Sequence, residues 1–132
     1  MTSTRLATLL VALSAAGSAF AVAPTWFTYP TSVFHVRPDY RRCISPLCGG
    51  YWIERVNQAR MRCPDGTTAT SCYVASIEWA ELGLDPRAEA NVIAAAGNQQ
   101  ALVRGDVVVE PFPGFPDLGV LHPDRVWLEV VP

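Results

Sequence analysis

Cys43-Ile44-Ser45-Pro46-Leu47-Cys48-Gly49-Gly50-Tyr51-Trp52-Ile53-Glu54-Arg55-Val56 carries the strongest structural signals in the chain. It places a short proline-containing loop between two cysteines, then two glycines with permissive backbone, then an aromatic and β-branched run suited to a strand. A second cysteine pair follows, Cys63 and Cys72, and the first of these opens Pro64-Asp65-Gly66, a strong turn sequence. The spacing is C-x4-C-x14-C-x8-C. Four cysteines allow three connectivities, and loop entropy does not choose among them, because longer loops simply restrict the unfolded chain more. Local geometry favours adjacent pairs. Cys63 and Cys72 can face each other across a hairpin, while Cys43 and Cys48 close a small ring around Ile44-Ser45-Pro46-Leu47. Zinc would need two closely spaced ligand pairs. These spacings are wide, and the two histidines, His35 and His122, stand far apart, so the reading is two disulfides, no metal and no cofactor.

Outward from this centre, Val33-Phe34-His35-Val36-Arg37 reads as the first strand, ended by Pro38-Asp39. Residues 57–59 read as a bulge or turn. Cys72-Tyr73-Val74-Ala75-Ser76-Ile77-Glu78-Trp79 alternates as one half-buried strand, and residues 80–84 start a helical connection. Asp85-Pro86 gives an N-cap followed by the residue favoured at the first helical position, with Gly97 where a left-handed C-terminal residue is wanted. Ala88, Val92, Ala95 and Ala96 form a thin apolar stripe on that helix, with Ile93 beside it. Residues 100–110 read as two strand halves divided at Arg104-Gly105-Asp106, a turn or bulge in which Gly supplies a positive φ. Pro111, Pro113 and Pro116, interleaved with Phe112 and Phe115, read as a stiff loop that cannot join a central sheet. Residues 118–121 and 125–131 read as a closing hairpin around His122-Pro123-Asp124. The sum is an α+β, β-rich domain: a curved antiparallel sheet or small open barrel of about six strands with one short helix.

The whole chain is 50% hydrophobic and 17% charged, yet its first 21 residues hold one charge, Arg5. Arg5, the apolar run at 6–13 and Ala19-Phe20-Ala21 have the pattern of a signal peptide over 1–21, leaving 22–132 as a single domain. A lipoprotein is not expected, since no cysteine lies near that cleavage point. Residues 22–32 read as a lead-in that Trp26, Phe27 and Tyr29 can anchor. Export to the periplasm or medium is an oxidising destination and agrees with paired cysteines. Past residue 21, nine arginines face 12 Asp plus Glu, with no dense basic patch for nucleic acid and no run long enough for a transmembrane span. The four tryptophans read as core anchors.

Chemistry is sparse. His35 and His122 have no hydrolase, metalloprotease or phosphate-loop motif around them, and C-x4-C is not the C-x-x-C of a thiol oxidoreductase. No catalytic residue is assigned, and the protein reads as a non-enzyme. Arg104-Gly105-Asp106 matches a cell-adhesion tripeptide, but a strand turn explains it as well. The candidate binding loop is Arg42, Ser45, Pro46 and Leu47, because a bridged ring containing proline is rigid before any partner arrives. The partner is unknown; a protein in the envelope or medium fits. The function expected is binding or envelope structure, with the alternative that the loop 43–48 serves a protease inhibitor through Arg42 or Leu47. A turn that only directs the chain into the next strand is the plainer alternative.

The segment Arg42-Cys43-Ile44-Ser45-Pro46-Leu47-Cys48-Gly49-Gly50-Tyr51-Trp52-Ile53, then Arg55-Val56-Asn57, Cys63-Pro64-Asp65-Gly66, Cys72 to Trp79, Leu82-Gly83-Leu84 and, more weakly, Leu102-Val103-Arg104-Gly105, resembles a group of uncharacterised exported bacterial domains of unknown function. The resemblance implies export and a shared disulfide frame, but no activity. Ten arginines without a lysine fit a GC-rich bacterial genome. Pro46-Leu47-Cys48-Gly49 and Asp65-Gly66-Thr67-Thr68 separately resemble pieces of Kazal-type inhibitors. Those domains carry more cysteines and one continuous run, so no reactive-site residue is carried over.

Overall fold

The alternation at 33–37 forms β1 (Ser32–Pro38), which turns Phe34 and Val36 into the core and leaves His35 and Arg37 exposed. A computed structural model of the chain describes residues 31–129. The expected signal peptide and Trp26, Phe27 and Tyr29 lie outside the described residues. The aromatic run after Gly50 forms β2 (Tyr51–Arg55), with Ile53 fully buried. Next come a two-stranded ribbon, β3 (Met61–Arg62) and β4 (Thr68–Ala69), then β5 (Cys72–Val74) and β6 (Ser76–Ile77). A 3-10 turn (Trp79–Leu82) leads to α1 (Pro86–Gly97), followed by the long strands β7 (Ala101–Phe112) and β8 (Phe115–Leu128).

The main sheet has the order β5-β2-β1-β7-β8-β6. Every pair in it is antiparallel except β6 with β8, so it is mixed rather than wholly antiparallel. The expected single strand over 72–79 splits at Ala75. Its first part pairs with β2 and its second with β8, at opposite ends of the sheet. One residue therefore separates the two ends, and the sheet curls until they approach, without closing into a barrel. The core inside the curl is built on Phe34, Ile53, Val74, Val103, Val107 and Leu121, with Val92 and Ala96 of α1 laid against it. Trp79 is buried, but Trp52 is only half-buried and Trp127 is 41% exposed, so not every tryptophan is a core anchor.

Helix α1 starts as expected: the Asp85 carboxylate accepts from the N–H groups of Arg87 and Ala88, and Pro86 takes the first position. Its end differs. Gly97 is still helical, and the left-handed residue is Gln99 (φ 59), two positions on.

The C-terminal third departs furthest from the sequence reading. β7 and β8 form one long hairpin whose tip holds Pro113 and Gly114 (φ 83), so no turn falls at 104–106 or 122–124. Of the two expectations at 104–106, turn or bulge, the bulge is what forms: Arg104 pairs with Arg125 and Gly105 with Pro123, leaving Asp124 as the extra residue on β8. Gly105 has no positive φ; it is needed because a Cβ would run into the His122 carbonyl oxygen across the ladder. The prolines are tolerated within these strands for a positional reason. β1 covers β7 only at Leu102–Gly105 and β6 covers β8 only at Val120 and Leu121, so Pro111 and Pro116 sit beyond the neighbouring ladders.

Candidate functional site

The two cysteine pairs join as adjacent pairs, Cys43 to Cys48 and Cys63 to Cys72, with Cα separations of 5.5 and 5.2 Å. The second bridge flanks the β3–β4 ribbon and is buried in the core. The first closes an exposed ring between β1 and β2. Within that ring the Leu47 N–H donates to the Ile44 carbonyl (2.9 Å), a tight turn, and the Ser45–Pro46 peptide is cis.

What holds the ring to the sheet is a polar cluster centred on Asp39, whose side chain is 1% exposed. Its carboxylate accepts from the Arg41 guanidinium (3.0 Å), the Trp52 indole N–H (3.3 Å) and the N–H groups of Arg41 and Gly49. The Arg41 side chain dominates, and despite opposition from burial it holds the Asp39 pKa at about 2. Arg41 lies over the rings of Trp52 (4.8 Å) and Tyr73 (5.2 Å) and donates to the Leu47 carbonyl. From β5, the Tyr73 hydroxyl donates to the Pro46 carbonyl (2.6 Å) and accepts from the Gly50 N–H (3.2 Å). Burial raises the pKa of that hydroxyl, which keeps it a donor. Pairing of β1, β2 and β5 puts Arg37, Trp52 and Tyr73 in one cross-strand row, so the sheet register delivers the ring's supports.

The structure brings together all four candidate loop residues but gives them different parts. Pro46 and Leu47 are anchored through their carbonyls, while Arg42 and Ser45 are exposed. The large hydrophobic side chains that project most here are others: Tyr40 at 78% and Ile44 at 71%, against 39% for Leu47. The sequence reading missed Tyr40, Ile44 and the Asp39 cluster. The available signal was an aspartate beside an arginine-rich run, next to an aromatic strand.

The histidines separate. His35 is exposed on β1, beside Arg37, Glu54 and Gln99 at the rim of a groove. His122 is bracketed, with Nδ1 2.7 Å from Glu81 on the 3-10 turn and Nε2 2.7 Å from Glu110 on β7. Burial opposes its protonation, but the two carboxylates together outweigh that and raise its pKa. The Arg104-Gly105-Asp106 triplet lies inside β7; Arg104 is paired with Asp124 and Asp106 accepts from the Thr31 hydroxyl. Among the described residues no group of three or more His, Cys, Asp or Glu side chains is arranged to hold a metal ion, and no helix is long and apolar enough to cross a membrane.

These features define a disulfide-stapled, β-rich domain that presents a rigid surface ring. Residues 32–130 match the family described as Domain of unknown function (DUF6748), and the chain belongs to that family. No curated protein and no solved structure matches it.

Proposed function

We propose that the chain is an exported bacterial protein without enzymatic activity, which binds a protein partner of the envelope or medium through the ring Cys43–Cys48. One observation carries this reading: Ile44 and Tyr40 are large and exposed, Tyr40 with its hydroxyl donating to the Gly97 carbonyl of α1, on a loop that is immobilised from below by Asp39, Arg41, Trp52 and Tyr73. Exposed apolar side chains on a preorganised loop lose little entropy on docking, which is how a few residues come to dominate an interface. Paired cysteines agree with an oxidising destination. The engagement of both His122 nitrogens by carboxylates supports a non-catalytic role, because no ring nitrogen is left to take a substrate proton. The test is comparative capture from the export compartment of the native host, using wild type, Ile44→Asp and Tyr40→Ala. A partner enriched by wild type and lost with both variants is expected. Failure of wild type to enrich any protein, or equal capture by Ile44→Asp, sinks the reading.

A protease-inhibitor role is the second reading, kept because Arg42 is exposed beside the ring. The tight turn from Ile44 to Leu47 speaks against a substrate-like extended segment. Stoichiometric inhibition of a trypsin-like protease, abolished by Arg42→Ala, would favour it over partner docking.

A further inference from the structure

Seven large hydrophobic side chains are exposed among the described residues, and they fall in two places. Ile44 and Leu47 belong to the ring, with Tyr40 just before it; Leu84, Ile93, Trp127 and Leu128 lie around the last residues of β8 and along α1. There β8 has an open edge among the described residues, because β6 covers only Val120 and Leu121. The Glu129 N–H donates to the Gln100 carbonyl (2.7 Å), and Trp127 pairs with Leu102, so the backbone groups of Trp127 and Glu129 face β7. By alternation, those of Val126 and Leu128 point outward. They border a groove of about 380 Å³ whose far wall is Leu82, Leu84, Ala88 and Val92. An open edge beside an apolar groove is a template for one more strand.

We propose that the added strand is β8 of a second copy of this chain, paired antiparallel about a twofold axis through Trp127. In that register Val126 lies opposite Leu128 of the partner subunit, and the reverse, so their outward groups form two hydrogen-bonded pairs. Trp127 lies opposite the partner's Trp127 in a non-hydrogen-bonded pair, where side chains approach most closely. Arg125 lies opposite the partner's Glu129, twice. Charge complementarity selects this register among those the twofold allows. Sliding by two residues either puts Arg125 opposite the partner's Trp127 or brings the partner's Trp127 opposite Glu129, and four residues in the first direction oppose the two Arg125 side chains. Odd slips are excluded, because they would match an outward backbone group with an inward one. The contact is isologous and closes on itself, giving a dimer rather than a filament.

Sedimentation equilibrium of the purified protein, obtained by expressing the full chain, is expected to show a concentration-dependent dimer. Val126→Pro removes an outward N–H without touching the β7 ladder, and is expected to give a folded monomer. Arg125→Glu and Glu129→Arg should each weaken association about tenfold or more, and the double exchange Arg125→Glu with Glu129→Arg should restore it. Trp127→Cys should crosslink to itself on mild oxidation, since such a pair brings Cα atoms to about 4.5 Å, while Arg125→Cys should not. A protein that stays monomeric at about 1 mM, where even weak specific contacts are populated, overturns the proposal. So does a dimer that survives Val126→Pro, or a charge exchange that fails to restore association.

Discussion

At Gly105 the missing side chain, not an unusual φ, is what β7 requires. A Cβ would meet the His122 carbonyl and the Pro123 backbone, atoms that cannot swing aside like the end of a long side chain. Gly105→Ala should therefore cost about 1–3 kcal/mol, the range for overpacking a site that cannot relax. Urea unfolding measures it, and a variant within about 0.5 kcal/mol of wild type, the ordinary surface range, would mean that the strands do not approach this closely. Asp39 draws its partners from both near and far in the chain. In sequence it reads as half of a Pro-Asp strand breaker, and it does end β1. Its strongest partner, Arg41, is only two residues away, but Trp52 and Gly49 reach it only through the fold of the ring and the pairing of β1 with β2. No local pattern encodes such a convergence.

Among the elements, those defined by local chemistry were legible and those defined by long pairing were not. β1, β2, the start of α1 and both disulfides follow from alternation, capping and turn residues within a few positions of each other. The β7–β8 hairpin was misread because its prolines and Gly105 resemble punctuation. Their tolerance depends on where neighbouring strands stop, which is tertiary information. The two bridges also differ in what their removal should do. The entropy model gives about 2 kcal/mol for the ring closed by Cys43 and Cys48, and nearer 3 kcal/mol for the Cys63–Cys72 loop. Only the second pair is wholly in the core. Cys63→Ser with Cys72→Ser should thus destabilise by more than about 3 kcal/mol, since it also buries two hydroxyls. Cys43→Ser with Cys48→Ser should lose about 2 kcal/mol and keep the sheet. Thermal unfolding of both double variants would expose the opposite order if it holds.

For the molecule as a whole, two groups of opposite sign bound the pH range of greatest stability. The Asp39 carboxyl titrates at about 2 in the fold against an ordinary 3.8, so its stabilisation is complete above about pH 4 and is lost as pH falls through 2. Asp65, held by Thr67, and Asp124, held by Arg104, are lowered and act in the same direction. His122 works the other way. Only the imidazolium can donate from Nδ1 to Glu81 and from Nε2 to Glu110 at once. Its pKa is raised above 6.5, so its contribution is complete below that value and disappears as pH rises through the elevated one. Stability is therefore expected to be greatest between about pH 4 and 6.5, falling on both sides. His122→Gln should flatten the alkaline side and leave the acid side alone; Asp39→Asn should make the acid side shallower, leaving the part due to Asp65 and Asp124, at a cost in stability throughout. The bond being lost ties the 3-10 turn to β7 through β8, so amide exchange should quicken in residues 79–82 as pH rises, beyond the intrinsic increase measured in His122→Gln. A wild-type melting curve that is level from pH 6 to 9, or an alkaline fall that His122→Gln reproduces unchanged, would remove His122 as its cause.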